Sequence, residues 1–220
     1  MKLGTFEIAR IGLGTNRLRH TPENVAFIRA AVDAGVGMID TAYLYASGES
    51  EPTIGEALSP VVAGYIVATK GGYGGAGRGR PEALRGEIEE SLQRLRTTTI
   101  GLYYLHRVDP ETPIEESMAT IKEFVGRGQI QHVGISEVDV AQIERARSVV
   151  PIAAVQNHYN LAERKHESVV DYCTVEGIVC VPYFPLHGDP TAALREIANR
   201  HGATPPQIAL AWLLRRSPMM

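Results

Sequence analysis

The chain is poor in cysteine, nearly balanced in charge, and has no apolar stretch of bilayer length. Its 220 residues include only two cysteines, Cys173 and Cys180. That is too few for a disulfide framework, and they lack the CxxC spacing used by zinc and dithiol sites. A reducing, cytoplasmic setting is therefore expected. The start, Met1-Lys2-Leu3-Gly4, lacks the apolar core of a secretory signal, and no uncharged segment could span a membrane. A soluble protein is expected. Twenty-five acidic residues face 22 lysines and arginines, a net charge of -3, with the basic residues spread along the chain. No positive field is present to hold nucleic acid or an anionic membrane. The seven histidines are scattered without ligand spacing, so no metal is expected.

Two glycine motifs are incomplete. Gly12-Leu13-Gly14 lacks the third glycine of a dinucleotide-fold fingerprint, and Arg17-Leu18-Arg19-His20 does not open a helix. Gly71-Gly72-Tyr73-Gly74-Gly75-Ala76-Gly77 lacks the Lys-Ser/Thr ending of a phosphate loop and reads as a flexible rim loop.

What the chain does have is alternation. Short apolar runs at 11–15, 38–41, 65–69, 101–105, 132–135, 153–156 and 179–183 read as strands, most of them apolar almost throughout. Strands covered on both faces have this composition, which predicts a parallel sheet. Helical patterns lie between them. Thr21-Pro22 caps the first and Gly35 follows its end. In 81–95, Leu84, Ile88, Leu92 and Leu95 form one apolar face. Further helices are predicted at 114–125, 138–149, 169–175, 194–199 and 206–214. No linker interrupts the series, so one domain over 1–220 is expected.

Periodicity alone suits a doubly wound sheet or a TIM barrel. The polar residues favour the barrel. Asp40, Lys70, His106, Ser136, Gln156 and Tyr183 all fall at or just after the C-terminal ends of successive strands. In a barrel those ends converge on one mouth, where active sites lie.

The run Ile39-Asp40-Thr41-Ala42-Tyr43-Leu44-Tyr45, with Ala68-Thr69-Lys70 ending the third predicted strand and Leu105-His106-Arg107 ending the fourth, resembles the aldo-keto reductase family. The resemblance runs from about Ile11 to Met220. It implies a TIM (β/α)8-type barrel, carbonyl/alcohol oxidoreduction with NADP(H) or NAD(H) and without metal, and Asp40, Tyr45, Lys70 and His106 as catalytic residues.

The roles have a physical logic. A free phenol, with a pKa of about 10, is a poor acid or base at neutral pH and needs a neighbour that favours its phenolate. The Lys70 ammonium is that neighbour, kept charged and oriented by Asp40. His106 donates to the substrate oxygen, where charge develops as the carbonyl carbon is reduced. Taken singly, Asp40 reads as well as a helix or turn cap, and Lys70 as a solvated amine. The ordered set of four carries the argument. Tyr43 lies two residues early for the signature and is expected to pack at the rim.

The resemblance also implies the cofactor contacts. Ser136 and Glu137, after Gly134-Ile135, and Gln156 match segments that hold the nicotinamide carboxamide; Tyr183 matches the aromatic stacked on its ring. Thr15 and Asn16 match a further contact. Pro182-Tyr183-Phe184-Pro185-Leu186 is similar to members close to pyridoxal reductases, which adds Phe184 and Leu186. Without the resemblance, Tyr183 and Phe184 read as packing aromatics and Ser136 as a helix cap.

Three features depart from the family pattern. Glu137 stands where asparagine is usual. Gly188-Asp189-Pro190 is a short loop where relatives often have a longer one covering the pyrophosphate, implying a looser grip. The chain stops at Ser217-Pro218-Met219-Met220, where an eighth strand, the loop for the adenosine phosphate and a final helix are implied. A sheet short of one strand leaves unpaired edges. The expectation is that the gene product continues or that another chain supplies the strand.

The leading reading is a reductase of small carbonyl compounds. A cofactor-sensing regulatory subunit on the same barrel is the second, and a Schiff-base isomerase or aldolase using Lys70 is the third.

Overall fold

The structure is a computed structural model that describes residues 1–59, 64–187 and 191–220. The expectation for Gly188-Asp189-Pro190 lies outside the described residues. The chain forms two compact units, residues 1–153 and 154–220. Among the described residues no helix is long and apolar enough to cross a membrane.

The first unit opens with a hairpin absent from the sequence expectations, β1 (Lys2–Leu3) and β2 (Phe6–Glu7), turned at Gly4 with φ +56°. The Thr5 N–H meets His132 Nε2 at 3.1 Å, and Phe6 packs edge-on against that ring. Parallel strands follow: β3 (Leu13–Gly14), β4 (Met38–Asp40), β5 (Ile66–Gly71), β6 (Ile100–Leu105) and β7 (Ile130–Ser136). Each pairs with the next, Gly14 beside Asp40, Asp40 beside Ala68, Lys70 beside Tyr104 and Leu105 beside Ile135.

Between them lie α1 (Pro22–Asp33), α2 (Ser50–Leu58), α3 (Pro81–Arg94), α4 (Ile114–Gly126) and α5 (Val140–Arg147). Local chemistry starts and stops them. The Thr21 hydroxyl accepts the Asn24 N–H ahead of α1, and Asp139 with Gln142 forms a capping box on α5. Ile28, Leu84, Ile88, Met118, Ile121 and Phe124 from the helices are buried, as are Ile39, Ile66, Leu102, Tyr104 and Ile135 from the strands. Burial on both strand faces explains why these strands are apolar almost throughout.

Helix α2 was absent from the sequence expectations because Pro52 and Gly55 interrupt its helical pattern. Gly55 has a packing reason. A Cβ there would fall 2.2 Å from the Arg94 carbonyl oxygen at the end of α3.

The second unit holds most of β8 (Ile152–His158), then α6 (Glu167–Glu176), β9 (Val179–Tyr183), α7 (Ala192–Arg200) and α8 (Pro205–Arg216). β8 and β9 pair in parallel from Ala154 beside Val179 to His158 beside Tyr183. Helix α6 ends on Gly177 at φ +67°, and Thr204 with Gln207 forms the capping box of α8. Glu167 accepts from Tyr159 and Arg216, linking α6 to α8. Strands β3–β9 are the seven expected, with no bound shifted by more than two residues. Among the described residues no eighth follows, although the Cys180 N–H donates to the Met219 oxygen at 2.7 Å.

Gly55→Ala is expected to lower stability by about 1–3 kcal/mol, because backbone must move to admit the methyl. Gly86, on the exposed face of α3, has nothing within 4 Å of an added Cβ. Gly86→Ala is expected to raise stability by about 0.5–1 kcal/mol through helix propensity. Urea-unfolding midpoints of the two variants check both signs.

Candidate active site

The C-terminal ends of β4, β5 and β6 bring three of the expected groups into direct contact. Lys70 is fully buried, and its ammonium donates to Asp40 Oδ1 at 2.6 Å, the Thr41 carbonyl at 2.6 Å and the Tyr45 phenol oxygen at 3.3 Å. Register explains the meeting. Asp40 pairs with Ala68, so Lys70 stands two residues further along β5, and the chain leaving β4 curls over it. The Tyr43 N–H donates to the Lys70 carbonyl at 2.9 Å, closing that curl. The Lys70 ammonium is 4.7 Å from the Tyr45 ring centroid. Tyr43 points its hydroxyl elsewhere, donating to Glu90 Oε2 on α3 at 2.6 Å. Glu90 and then burial push the Tyr43 phenol above its ordinary range.

His106 follows β6, with its N–H on the Gly71 carbonyl at 2.7 Å. Its ring lies edge-on to Tyr45, centroids 5.9 Å apart, and 4.9 Å from Tyr73. Burial first, then the charges of Lys70 and Arg107, lower its pKa from 6.5 to about 3. The imidazole is therefore neutral at physiological pH, with one N–H to donate. Arg107 Nη1 donates to the His106 carbonyl at 2.6 Å and to Ser136 Oγ at 3.0 Å, and its guanidinium lies 5.3 Å from the Tyr73 ring centroid. The reading of the sequence gave neither Arg107 nor Tyr73 a role. Their nearness in sequence to His106 and Lys70 was the available signal.

The segment carrying Tyr45 is a 3-10 turn, Tyr45–Gly48, in which Ala46, Ser47 and Gly48 have φ of 51°, 58° and 89°. Two side-chain-bearing residues in the left-handed region cost about 1–2 kcal/mol each, and such a turn persists only where its surroundings over-determine it. A hydroxyl chain holds its base. Ser50 Oγ lies 2.7 Å from Thr41 Oγ1 and donates to Thr15 Oγ1 at 2.9 Å, and Thr15 donates to the Asp40 carbonyl at 2.9 Å. Thr15 is thus engaged within the protein, while its neighbour Asn16 is exposed.

The glycine-rich segment after Lys70 departs from the expected flexible rim loop. Its backbone N–H groups are claimed by buried carboxylates: Gly72 by Glu87 at 2.6 Å, Gly77 and Gly79 by Asp109 at 3.1 and 2.9 Å. Ser117 adds a bond to the Gly79 carbonyl, and Arg78 pairs with Glu87. Burial would raise the Asp109 carboxyl, but the N–H groups of Glu111, Gly79 and Gly77 and the Thr112 hydroxyl outweigh it, lowering the pKa to about 2. Alternating glycines concealed these anchors, because their partners lie on α3, on α4 and after β6.

Of the remaining expected residues in this unit, Ser136 ends β7 and is buried, and Glu137 is half-buried at φ +56°. In the second unit, Gln156 is buried on β8, and Tyr183 at the end of β9 stacks on His158 with centroids 5.1 Å apart. Phe184, at φ +51°, stacks on His187 at 4.1 Å and receives the Asn160 amide on its carbonyl. Leu186 is exposed. Cys173 and Cys180 are both buried; hydrogen bonding with Cys173, then burial, pushes the Cys180 thiol up.

Comparison with known proteins places this geometry. The Aldo/keto reductase family model matches residues 10–190. An uncharacterized oxidoreductase of Schizosaccharomyces pombe is 35% identical over 100% of this chain and 78% of its own length. Pyridoxine 4-dehydrogenase of Escherichia coli is 32% identical over 98% of this chain and 84% of its own. Among solved structures, a thermostable aldo-keto reductase in complex with the inhibitor epalrestat gives a TM-score of 0.89 at 32% identity, covering 99% of this chain and 85% of that one. The aldo/keto reductase of Klebsiella pneumoniae in complex with NADP and acetate gives 0.82 at 28% identity, covering 94% and 78%. The architecture is that of a TIM-barrel reductase, with seven of its strands among the described residues. A buried Lys–Asp pair beneath a tyrosine, a neutral histidine beside it and likeness along nearly the whole length agree: the chain belongs to the aldo/keto reductase family, the NAD(P)H-dependent reductases of aldehydes and ketones.

Proposed function

We propose that the protein reduces a small carbonyl compound with NADP(H), Tyr45 giving the proton that converts the substrate oxygen to a hydroxyl. The contact between the Lys70 ammonium and the Tyr45 phenol oxygen carries this reading. When bound, the reduced nicotinamide supplies the hydride to the carbonyl carbon. The protein's part is to handle the oxygen. As electrons move onto it, Tyr45 transfers its phenolic proton, and the negative charge left on the phenol develops 3.3 Å from a fixed ammonium. His106, neutral, donates its N–H to the same substrate oxygen. Asp40 holds the lysine in place and balances its charge. In the oxidative direction Tyr45 accepts the proton from an alcohol.

For the cofactor, the reading rests on the family pattern and the chemistry of the residues. Ser136 and Gln156 offer a hydroxyl and an amide suited to a carboxamide, and Tyr183 offers a flat ring. Asn16 and Glu137 are polar side chains accessible to a ligand, and Thr15 fixes the strand that leads to Asn16. Phe184 and Leu186 add exposed apolar surface after β9. The K. pneumoniae relative, in complex with NADP, supports the choice of NADP(H). A Schiff-base role for Lys70 is disfavoured, because all three ammonium hydrogens are engaged and the group is shielded from solvent.

Purified protein is expected to consume reduced cofactor, followed by its absorbance, with some member of a carbonyl panel that includes pyridoxal. Tyr45→Phe is expected to lower kcat by about 100-fold or more while cofactor affinity, read by fluorescence quenching, stays within about twofold. Full activity in that variant would remove Tyr45 from its role, whereas tight cofactor binding without turnover by the unaltered protein would favour the regulatory reading.

His106 makes a second, pH-dependent prediction. The folded imidazole takes up its proton only near pH 3, the unfolded one near 6.5. Between those values the unfolded state binds more protons, so stability rises with pH and is lost as pH falls from 6.5 towards 3. The contribution is at most about 1.4 kcal/mol per pH unit. His106→Gln is expected to flatten that slope in urea unfolding measured over this range.

A further inference from the structure

The turn that carries Tyr45 has a second holder, on the opposite side from the lysine. Arg94, the last residue of α3, donates from Nη1 to the Tyr43 carbonyl at 3.1 Å and from Nη2 to Glu90 Oε1 at 2.5 Å, and Nη1 lies 3.5 Å from Glu51 Oε2. Its guanidinium is 4.4 Å from the Tyr43 ring centroid, and a Cβ at Gly48 would come within 3.2 Å of Nη1. One planar cation thus meets the chain before Tyr45, at Tyr43, and after it, at Gly48 and Glu51. Its two carboxylate partners are themselves tied down. Glu51, fully buried on α2, accepts the Thr69 hydroxyl at 2.6 Å, next in sequence to Lys70. The free oxygen of Glu90 takes the Tyr43 phenol.

We propose that Arg94 is a positioning residue for Tyr45. Its guanidinium clamps both limbs of the left-handed turn Ala46-Ser47-Gly48, so that the phenol oxygen stays over the Lys70 ammonium. The inference rests on the catalytic role proposed for Tyr45. The shape of arginine matters here. A planar fork reaches a carbonyl and two carboxylates at once, whereas a lysine serves one direction at a time. Removing the fork leaves the buried Glu51 carboxylate without the cation beside it and takes from the Tyr43 carbonyl its Arg94 donor. The turn, held in backbone angles its residues do not favour, is then free to relax towards others. No atom of Arg94 need touch substrate or cofactor for this to slow proton transfer.

The test uses the full chain with Arg94→Met, whose side chain keeps most of the apolar stem. The expected result is a fall in kcat of about 10- to 100-fold per folded molecule with KM within about twofold, the size of loss that a small misplacement of a reacting group produces. The kinetic isotope effect with deuterated reduced cofactor should rise, as the chemical step becomes more fully rate-limiting. Amide hydrogen exchange should accelerate selectively in the peptide covering residues 43–51, and this readout does not depend on turnover. Arg145→Met, which removes a different arginine, one paired at the surface with Glu115 on α4, should stay near the unaltered enzyme in both. A kcat that falls only with the folded fraction, with exchange faster evenly along the chain, would reduce Arg94 to a structural residue and overturn the proposal; so would unaltered kcat and exchange. Should Arg94→Met not fold, Arg94→Lys carries the test, with the same signs expected and unaltered kcat and exchange overturning it. If the unaltered protein reduces no carbonyl, the assigned function falls, and exchange over residues 43–51 still decides whether Arg94 holds the turn.

Discussion

The site is organised around one buried charge. An ammonium without solvent contact is costly by several kcal/mol unless its hydrogens are met and its charge is balanced. Lys70 satisfies that demand with one carboxylate, one carbonyl and one phenol. The carboxylate must come from the neighbouring strand, which β4–β5 pairing supplies through Asp40. The carbonyl and the phenol must come from the chain that leaves that strand, which forces the segment after Asp40 to bend back over the lysine instead of running outwards. The sharp, left-handed turn after Tyr45 is a consequence of that requirement. The same charge, acting with burial and with Arg107, keeps His106 neutral. A second cation at that histidine would compete with Lys70 for the phenol's charge; a neutral donor does not.

The four residues proposed as catalytic stand out in the sequence because three of them lie at strand ends and Tyr45 follows one closely. Strand ends are marked twice, by the apolar run before them and by the polar residue that breaks it. Asp40, Lys70 and His106 each stand out in this way against Met38-Ile39, Tyr65–Thr69 and Leu102–Leu105. The supports of the quartet were not legible for the converse reason. Arg94, Glu51 and Glu87 lie on helices, where charged residues are usual and only the third dimension distinguishes a buried carboxylate from a solvated one. Glu87 falls in the same helical pattern as the solvent-facing Arg85 and Glu89. Helix α2 itself was hidden by Pro52 and Gly55, and Gly55 is there because α3 passes too close for a side chain. The two-residue strands of the opening hairpin are shorter than any periodic signal.

The glycine-rich segment shows how composition misleads about rigidity. Many glycines suggest freedom, and several of these do take positive φ. Yet a glycine also leaves its N–H open to approach, and Glu87 and Asp109 come close enough to use three of them. The glycines let the backbone adopt the path, and the carboxylates keep it there. Tyr73 rides on this held segment, which fixes an exposed aromatic ring beside His106.

The proposal prefers Tyr45 to Tyr43, two residues apart, on what each hydroxyl meets. Tyr43 donates a hydrogen bond to the Glu90 carboxylate, which raises its pKa and makes the phenolate harder to form. Tyr45 instead meets an ammonium, 3.3 Å from its oxygen, and among the described residues no carboxylate acceptor is its partner in the hydrogen bonds at that hydroxyl. The sequence motif points to Tyr45 by spacing; the proposed role also draws on the ammonium contact, a reason that would hold in any fold presenting the same two neighbours. That independence gives the assignment its weight, because a spacing match and a charge match fail for different causes.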